Sequence, residues 1–388
     1  MTTQATLGGE TNACDAALYM ALELSDRSWK VLFHAPSGRR RERSIAARDV
    51  GQLLGELAEA KRKLGLPPEA HVVSCYEAGR DGFWLHRALV DNGVESLVVD
   101  SSSIEVPQRA RRKKTDRLDL VKLMALLLRY VGGDRGVWSV VRVPDEEVED
   151  KRQLSRGIDR LKTERGRHIV RLKSLLVKEG IKELRVGGAD WAERVDKMRL
   201  WDGSPLRPRL KRELILEGER LALIERQLAE LKAEREVLVA SSPCKIAGTT
   251  RALRELGGIA EESSFVFSTE VLGWRTFANR RELAGALGVT GTPFNSGNSE
   301  HEQGISKAGN RRMRAMLMEI AWCWLRYQSK SALARWWQDR FARGNKRTRR
   351  IGIVALARKL LVALWRYLEE GLVPEGATLK TAKTRAAA

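Results

Sequence analysis

Short apolar runs, separated by stretches with helical spacing, occupy the first third of the chain. Four of them read as strands: 17–24 (ALYMALEL), 28–34 (SWKVLFH), 71–76 (HVVSCY) and 95–100 (ESLVVD). Helical spacing lies between them at 53–64 and 82–91. Strands that alternate with helices are typical of an α/β layer with a mostly parallel sheet. We therefore predict an α/β domain over residues 14–143, after a loose polar tail at 1–13.

The middle of the chain, residues 144–243, carries two heptad-like ladders of apolar residues. They are Leu154, Ile158, Leu161, Leu172 and Leu175, and then Leu214, Leu221, Ile224, Leu228, Leu231 and Leu238. A break rich in Gly and Pro separates the two ladders at 186–208. This pattern predicts an antiparallel coiled-coil hairpin or an oligomerisation arm. An ordinary helical hairpin packed on a domain remains the alternative.

The last part, residues 244–375, is predicted to be a mainly helical unit with long helices at 310–328 and 351–370. The segment 253–260 (LRELGGIA) resembles a helix–hairpin–helix turn, in which glycines let backbone N–H groups approach a phosphate. A Gly/Ser/Asn-rich loop follows Thr290. Residues 376–388 read as a disordered basic tail.

The charge balance points to a polyanionic partner. The 388 residues include 70 Lys and Arg against 50 Asp and Glu, a formal net charge of +20. Such an excess of positive charge makes the compact chain repel itself. Binding to nucleic acid, or less effectively to an acidic membrane surface, would relieve this repulsion. The sequence shows no apolar run near the roughly 20 residues that span a bilayer, and no secretory signal. Its four cysteines form no CxxC pair, so we expect a soluble cytoplasmic protein whose metals are held by carboxylates.

Four carboxylates stand at predicted strand ends and at a helix start. Glu23 and Glu77 close strands, and Asp116 and Asp119 lie three apart in KKTDRLDL, on one side of a helix. Together they could hold two Mg²⁺ (or Mn²⁺) about 4 Å apart for phosphoryl displacement. Surface salt bridges are one alternative. The other is that Asp119 only complements the helix dipole in the first turn of a helix that has Thr115 as its N-cap. A dense basic run beside them is expected to lie under a phosphate backbone: Arg109, Arg111, Arg112, Lys113 and Lys114.

Several segments together resemble a known family. They are ALELSDRSW, CYEAGRDGFWLHR, KKTDRLDL and FNSGNSEHEQGISKAGNRRMRAML. They are similar to the DEDD insertion-sequence transposases of the IS one-ten family, described as bridge-RNA-guided recombinases. The resemblance covers nearly the whole chain. It implies a RuvC-like (RNase H fold) N-terminal domain, a coiled-coil middle and a C-terminal transposase domain.

The resemblance also implies roles for individual residues. Glu23, Glu77, Asp116 and Asp119 would form the acidic tetrad, with Glu23 standing where the family usually has Asp. Ser296, before a glycine and ahead of GISKAGN, would be the nucleophile that forms a covalent serine–DNA bond. Ser299 competes with it locally, and a plain turn residue is the alternative. The neighbouring glycines 297 and 304 would let a DNA backbone approach closely.

Basic and aromatic residues of the C-terminal part are candidates for nucleic-acid contacts. A phosphate clamp, or else a solvated helix face, is expected from Lys307, Asn310, Arg311, Arg312 and Arg314. A second basic run contains Arg340, Arg343, Lys346, Arg347, Arg349 and Arg350. Of the tryptophans 322, 324, 336 and 337, we assign Trp322 and one of Trp336 and Trp337 to the core, and the others could stack on bases.

These features predict a DNA recombinase of a mobile element that acts as a homo-oligomer, a dimer or a tetramer, with a structured guide RNA and no membrane. Its serine and metal site would form a composite site within one chain or between protomers. Two alternatives stay open. One is a junction-resolvase-type nuclease that cuts by water attack without a covalent intermediate. The other is a nucleic-acid-binding protein whose metal site has decayed, which Glu23 would permit.

Overall fold

The structure is a computed structural model that describes residues 17–104, 116–183, 185–296, 299–307 and 309–380. At 102, 116–119, 293–296 and 299–303 the description covers the backbone alone. The chain divides into two compact units, unit 1 at 1–143 and unit 2 at 144–388. No helix within the described ranges is both long and apolar enough to cross a bilayer.

Unit 1 is built on a five-stranded sheet with the order β3-β2-β1-β4-β5. The strands are β1 (Leu18–Glu23), β2 (Ser28–His34), β3 (Arg40–Ala46), β4 (Val72–Glu77) and β5 (Val94–Val99). β1 pairs in parallel with β4, and β4 with β5, while β2 is antiparallel to both β1 and β3. Four strands therefore run in one direction and β2 runs against them. This agrees with the predicted α/β layer, although β3 was not among the predicted strands.

Helices cover both faces of this sheet. They are α1 (Val50–Leu64), α2 (Trp84–Asp91) and α3 (Asp116–Val131), with a 3₁₀ turn at Ser101–Ser103. The side chains of β1 alternate between the two faces, as a pleated strand requires. Leu18, Met20 and Leu22 pack with α1 and α2 in one core. Ala21 packs with β4 residues and with α3 in the other core.

The first part of unit 2 is a long antiparallel helical hairpin. Its helices are α4 (Glu146–Lys178), α5 (Trp191–Lys197) and α6 (Pro208–Ser241). Ile158 of α4 packs with Leu228 of α6 near one end, and Leu172 packs with Leu214 near the other. The two apolar ladders thus pack against each other, with their helices running in opposite directions, as their spacing predicts.

The rest of unit 2 is helical apart from one β-hairpin. Its elements are α7 (Lys245–Glu255), α8 (Glu261–Phe267), a π-helical turn (Ser268–Leu272), α9 (Arg280–Ala286), β6 (Gly291–Ser296), β7 (Ser299–Ile305), α10 (Arg311–Tyr327), α11 (Ala332–Phe341) and α12 (Lys346–Glu370). α12 begins five residues before its predicted start. Its buried side, with α10 and α9, closes one apolar core around Leu317, Trp324 and Leu360.

The glycine turn at 257–258 is covered by the protein's own chain, so the prediction of a phosphate-binding turn is wrong here. A Cβ on Gly257 would lie 2.7 Å from the amide nitrogen of Gln328. The same amide donates to the Gly257 and Thr378 carbonyls at 3.0 and 2.8 Å. The Lys380 N–H donates to the Glu255 carbonyl at 2.7 Å. Residues 376–380 are therefore an ordered part of unit 2 and not the predicted tail, while 381–388 lie outside the described residues.

The tryptophans of α10 and α11 divide differently from the prediction. Trp324 is fully buried, and its indole N–H donates to the Ser331 hydroxyl at 2.9 Å. Trp337 is buried, as predicted for one of the pair, and Trp336 is half-buried. Trp322, which we assigned to the core, is 49% exposed.

Candidate functional site

Glu23 and Glu77 end neighbouring parallel strands. Each directly follows a residue of the last register pair, Leu22 with Tyr76, so the two glutamates stand side by side where adjacent strands are about 4.8 Å apart. By strand alternation both share the face of Ala21 and Cys75, which α3 covers. Glu77 is exposed, and one carboxylate oxygen of Glu23 is buried. Across the antiparallel pair, Glu23 is in register with Lys30.

The surroundings of this pair suit a hard divalent cation. Burial, together with the charge of Glu77, raises the pKa of the Cys75 thiol far above its usual range, so the thiol stays protonated and the carboxylates of Glu23 and Glu77 are the groups that could hold a metal ion. Such oxygens are the ligands that Mg²⁺ and Mn²⁺ prefer.

Asp116 and Asp119 occupy the first turn of α3, the helix that packs on this same face. Their side chains lie outside the described residues, and no three described His, Cys, Asp or Glu side chains gather into a metal-binding group. Of the four predicted ligands, the structure therefore describes the side chains of Glu23 and Glu77, and it gives the backbone alone for Asp116 and Asp119.

The loops beside the two glutamates are joined by ion pairs that sequence reasoning missed. Arg48 lies 3.5 Å from Asp26, after β1, and 3.3 Å from the buried Asp81 carboxylate, after β4. Arg80 also contacts Asp26 at 2.5 Å. A hydrogen bond from Arg80 is the main reason that the pKa of Asp26 is lowered. Arg48 adopts a left-handed backbone with φ of 66°. Asp26 stands in the segment LSDRS, and Arg80 and Asp81 stand in GRDG, and these charged turns could have signalled them, whereas Arg48 lies in AARDV, before α1.

Ser296 is the last residue of β6 and pairs in register with Ser299, so both serines stand at the tip of the hairpin. Their side chains, and residues 297–298, lie outside the description. At the base of the hairpin, the Ser306 N–H donates to the Thr290 carbonyl at 2.9 Å. Gly304 has a φ of +101°, and no atom lies within 4 Å of a Cβ built on it. The surface beside Gly304 is therefore open to a partner.

The start of α10 is held by internal contacts, which engage three of the five residues of the predicted phosphate clamp. Arg312 contacts Asp159 at 2.6 Å and Glu270 at 2.8 Å, and Arg314 donates to the Leu287 carbonyl at 2.9 Å. Asn310 caps the helix through the Met313 N–H. Of the predicted clamp, Arg311 and Lys307 are exposed. Arg312 joins α10 to the long hairpin through these ion pairs, and its side chain is 22% exposed.

Glu270, in the π-helical turn, is the centre of this network and was not singled out from sequence. Its carboxylate accepts from Arg156 at 3.1 and 3.2 Å, from Arg312 at 2.8 Å and from Asn310 at 3.1 Å. Burial by itself would raise the pKa of Glu270, but these hydrogen bonds and the charges of the arginines hold it below its ordinary value. The network fixes where α10 begins, directly after the segment that carries the hairpin.

Comparisons with known proteins identify the family. The model of the transposase IS116/IS110/IS902 family matches residues 250–338. The chain is 39% identical over 377 residues to "Putative transposase y4rJ" of Sinorhizobium fredii (strain NBRC 101917 / NGR234), which covers 94% of this chain and 95% of that protein. This chain belongs to the IS116/IS110/IS902 transposase family. It is also 31% identical over 258 residues to "Putative transposase y4qE" of the same organism (65% of this chain, 58% of that protein). Over 110 residues it is 34% identical to "Transposase for insertion sequence element IS1533" of Leptospira borgpetersenii (28% of this chain, 30% of that protein).

Membership of this transposase family makes the chain a DNA-processing enzyme, and DNA its partner. The segment that matches the family model, 250–338, includes Glu270, the β6–β7 hairpin and the start of α10. Glu270, Asn310 and Arg312 thus lie within the matched segment, whereas their partners Arg156 and Asp159 come from α4, which precedes it.

The second basic run of the C-terminal part forms an exposed surface at the start of α12 in this transposase. Arg347, Arg349 and Arg350 are exposed in its first turns, which contain no acid, and Asn345 caps the helix through the Thr348 N–H at 3.0 Å. Cations at a helix N-terminus oppose the helix dipole. A negatively charged partner would remove that cost, as predicted for this run. The other run, Arg109 to Lys114, lies outside the described residues.

Proposed function

We propose that this transposase cuts and rejoins DNA through a covalent bond to Ser296, assisted by Mg²⁺ (or Mn²⁺) at Glu23, Glu77, Asp116 and Asp119. The observation that carries the proposal is the adjacency of Glu23 and Glu77 on the sheet face that α3 covers. The helix that covers this face begins with the other two carboxylates of the proposed tetrad. The identity of the nucleophile rests on the resemblance of the serine-containing segment to the family.

The proposed chemistry is an exchange of phosphodiester bonds. The Ser296 hydroxyl oxygen attacks the phosphorus, a Ser–O–P bond forms, the P–O bond to one DNA strand end breaks, and the hydroxyl proton passes to the departing oxygen or to solvent. The bond energy is retained, so a new strand end can reverse the step. Metal ions, when bound, would stabilise the charge that develops on the phosphate. The carboxylate oxygens of Glu23 and Glu77, fixed at the ends of two paired strands, would hold such ions.

We also propose that a structured guide RNA selects the DNA sites. The protein is proposed to act as a homo-oligomer, either a dimer or a tetramer. The net charge of +20 supports a polyanionic partner beyond the reacting strand. Where an RNA reads the sequence by base pairing, the protein contacts mainly backbone and shape. Exposed arginines such as those at the start of α12 suit that role.

The test is whether the protein forms a serine-linked DNA adduct. The full chain is expressed with its native flanking DNA, and co-purified nucleic acid is sequenced to supply the RNA and the DNA sites. We expect a denaturant-resistant protein–DNA adduct in Mg²⁺ that is lost in Ser296→Ala and in Asp116→Asn and is kept in the matched control Ser299→Ala. An adduct that is lost only in Ser299→Ala would show that Ser299, and not Ser296, is the nucleophile.

Two results would favour the alternatives. Cleavage that persists in Ser296→Ala without any adduct would show a resolvase-type nuclease, which uses the same carboxylates with water as the nucleophile. Tight, salt-sensitive binding with no Mg²⁺-dependent cleavage would show a nucleic-acid-binding protein with a decayed metal site.

A further inference from the structure

A groove in unit 2 lies between α9, α11 and α12, and we call it the α9–α12 groove. It encloses about 700 Å³, within the range of about 300–1,000 Å³ that ligand sites occupy. Arg280 and Arg281 line it from α9, Leu333 and Trp336 from α11, and Arg358 and Lys359 from α12. None of the residues discussed as the serine and metal sites takes part in it.

The rim of the groove is strongly basic. Five of its lining residues are Arg or Lys, and no carboxylate lines it within the described chain. Arg366 pairs with Glu370 at 3.3 Å, but Arg280, Arg281 and Arg358 have no ion pair to any carboxylate that the structure describes. All three are exposed. Like charges gathered around one groove repel each other unless an anion lies among them.

The floor of the groove is apolar and includes an aromatic ring. Leu333, Ala355, Val362 and the half-buried Trp336 form it, and the Lys359 ammonium lies 4.8 Å from the Trp336 ring centre. A duplex presents phosphates to a protein surface and would leave such a floor unused. An unpaired strand presents flat bases to the floor and phosphates to the rim, which is how single-strand sites are built.

The groove opens at the base of the β6–β7 hairpin. Its lining includes Thr290, the residue before β6. α9 also contacts the segment after the hairpin, since the Asn310 N–H donates to the Ala286 carbonyl at 3.2 Å. At about 3.3 Å per residue, the run of strand from Thr290 to Ser296 spans about 20 Å. A strand in the groove would therefore lie within a few nucleotides of the hairpin tip.

We propose that the α9–α12 groove binds unpaired DNA, the strand that flanks the phosphate attacked at the hairpin tip. This assignment rests on the proposed function, because it takes the DNA to be opened near Ser296. Arg281 and Arg358 bind phosphates on opposite walls, and Trp336 stacks on a base. The groove thereby separates the reacting strand from its complement.

The experiment measures the affinity of the full-length protein for short oligonucleotides of mixed sequence by fluorescence anisotropy over a range of salt. The probes are single-stranded DNA, the same sequence as a duplex, and the same sequence as RNA. The test variant is Arg281→Gln with Arg358→Gln. The matched control, Arg62→Gln with Lys63→Gln, removes the same charge from the exposed side of α1.

We expect the double groove variant to weaken single-stranded DNA binding and to lower its salt slope by about 1.4, from two lost phosphate contacts. Duplex binding and the control variant stay unchanged. Trp336→Leu weakens single-strand binding about tenfold with an unchanged salt slope, because stacking releases no counterions.

Equal losses for duplex and single strand, a larger loss for RNA than for DNA, or no loss in the groove variant would each overturn the assignment. Ser296→Ala, measured in the same assay, keeps its single-strand affinity. A failure of the serine chemistry is thus distinguishable from a failure of the groove.

Discussion

Replacing Glu270 by Gln tests how firmly the start of α10 is tied to the long hairpin. The carboxylate is 1% exposed and serves Arg156, Arg312 and Asn310 at once. The buried Arg152 guanidinium lies 4.0 Å away and donates to the Thr269 and Glu270 carbonyls at 3.1 Å. Gln retains the shape but removes the charge, and one amide oxygen cannot serve all of these donors.

The expected cost follows from what each partner retains. Removing one member of a buried ion pair costs about 3–5 kcal/mol. Arg312 keeps Asp159 at 2.6 Å and Arg156 is 48% exposed and can be hydrated, so the loss should fall near the lower end. About 3 kcal/mol corresponds to a fall of about 6–12 °C in the Tm of a unit of this size.

The loss should also depend on pH, and the direction is fixed. The pKa of Glu270 lies below its ordinary value of 4.5 in the folded protein. Its charge therefore contributes stability that is fully present above that value and is lost as the pH falls through the folded pKa. The difference in unfolding free energy between wild type and Glu270→Gln should accordingly shrink as the pH is lowered.

The assay is thermal and urea unfolding of the full chain, with hydrogen exchange of the peptides that contain α4 and α10. The matched control is Glu262→Gln, which removes a half-exposed carboxylate that pairs with Lys162 on the surface, and it should cost at most about 1 kcal/mol. A Glu270→Gln protein as stable as Glu262→Gln, or a stability difference independent of pH, would refute the reasoning.

Three further predictions concern the rest of the chain. Gly218→Ala should destabilise the long hairpin by about 1–2 kcal/mol in urea unfolding, because a Cβ there would overlap the Trp191 indole, and overpacking outweighs the better helix propensity of Ala. The Cys75 thiol, buried and with a raised pKa, should react with a maleimide only after unit 1 unfolds, and rapid labelling of the native protein would contradict its position. Burial would raise the pKa of Glu217, but hydrogen bonds from His168 and two arginines lower it, so the free energy of unfolding should fall below about pH 4.5 in wild type and fall less in Glu217→Gln.

The strands show how much of the fold can be predicted from local sequence. β1, β4 and β5 are apolar on both faces because helices cover both sides of the sheet, and such runs are recognisable without a structure. β3 (RRERSIA) escaped prediction because it is an edge strand with charged, exposed side chains. Its strand conformation comes from pairing with β2, which no pattern within β3 encodes.

The site divides in the same way. Sequence alone placed Glu23 and Glu77 at strand ends and Asp116 and Asp119 on a helix, since each is a local property of its own segment. Parallel pairing of β1 with β4 then set the two glutamates side by side. The sequence also pointed to the segment around Ser296, where the structure has a hairpin tip and not the predicted loop.

Contacts across long stretches of chain decided the rest. Arg312 stands in a basic segment at a helix start, as a phosphate ligand would. It nevertheless pairs with Asp159, 153 residues away in the sequence. The glycines at 257–258 suit a phosphate, yet Gln328 and Thr378 cover Gly257, and Cys323 and Tyr327 cover Gly258. Periodicity and spacing report which residues share a face of one element, so they were enough for β1, β4, β5 and the long helices and for the positions of the four carboxylates within them, while composition gave the basic character of this transposase. Which charge is neutralised inside the protein, and which is left for DNA, depends on partners distant in sequence, and only the tertiary structure decided it.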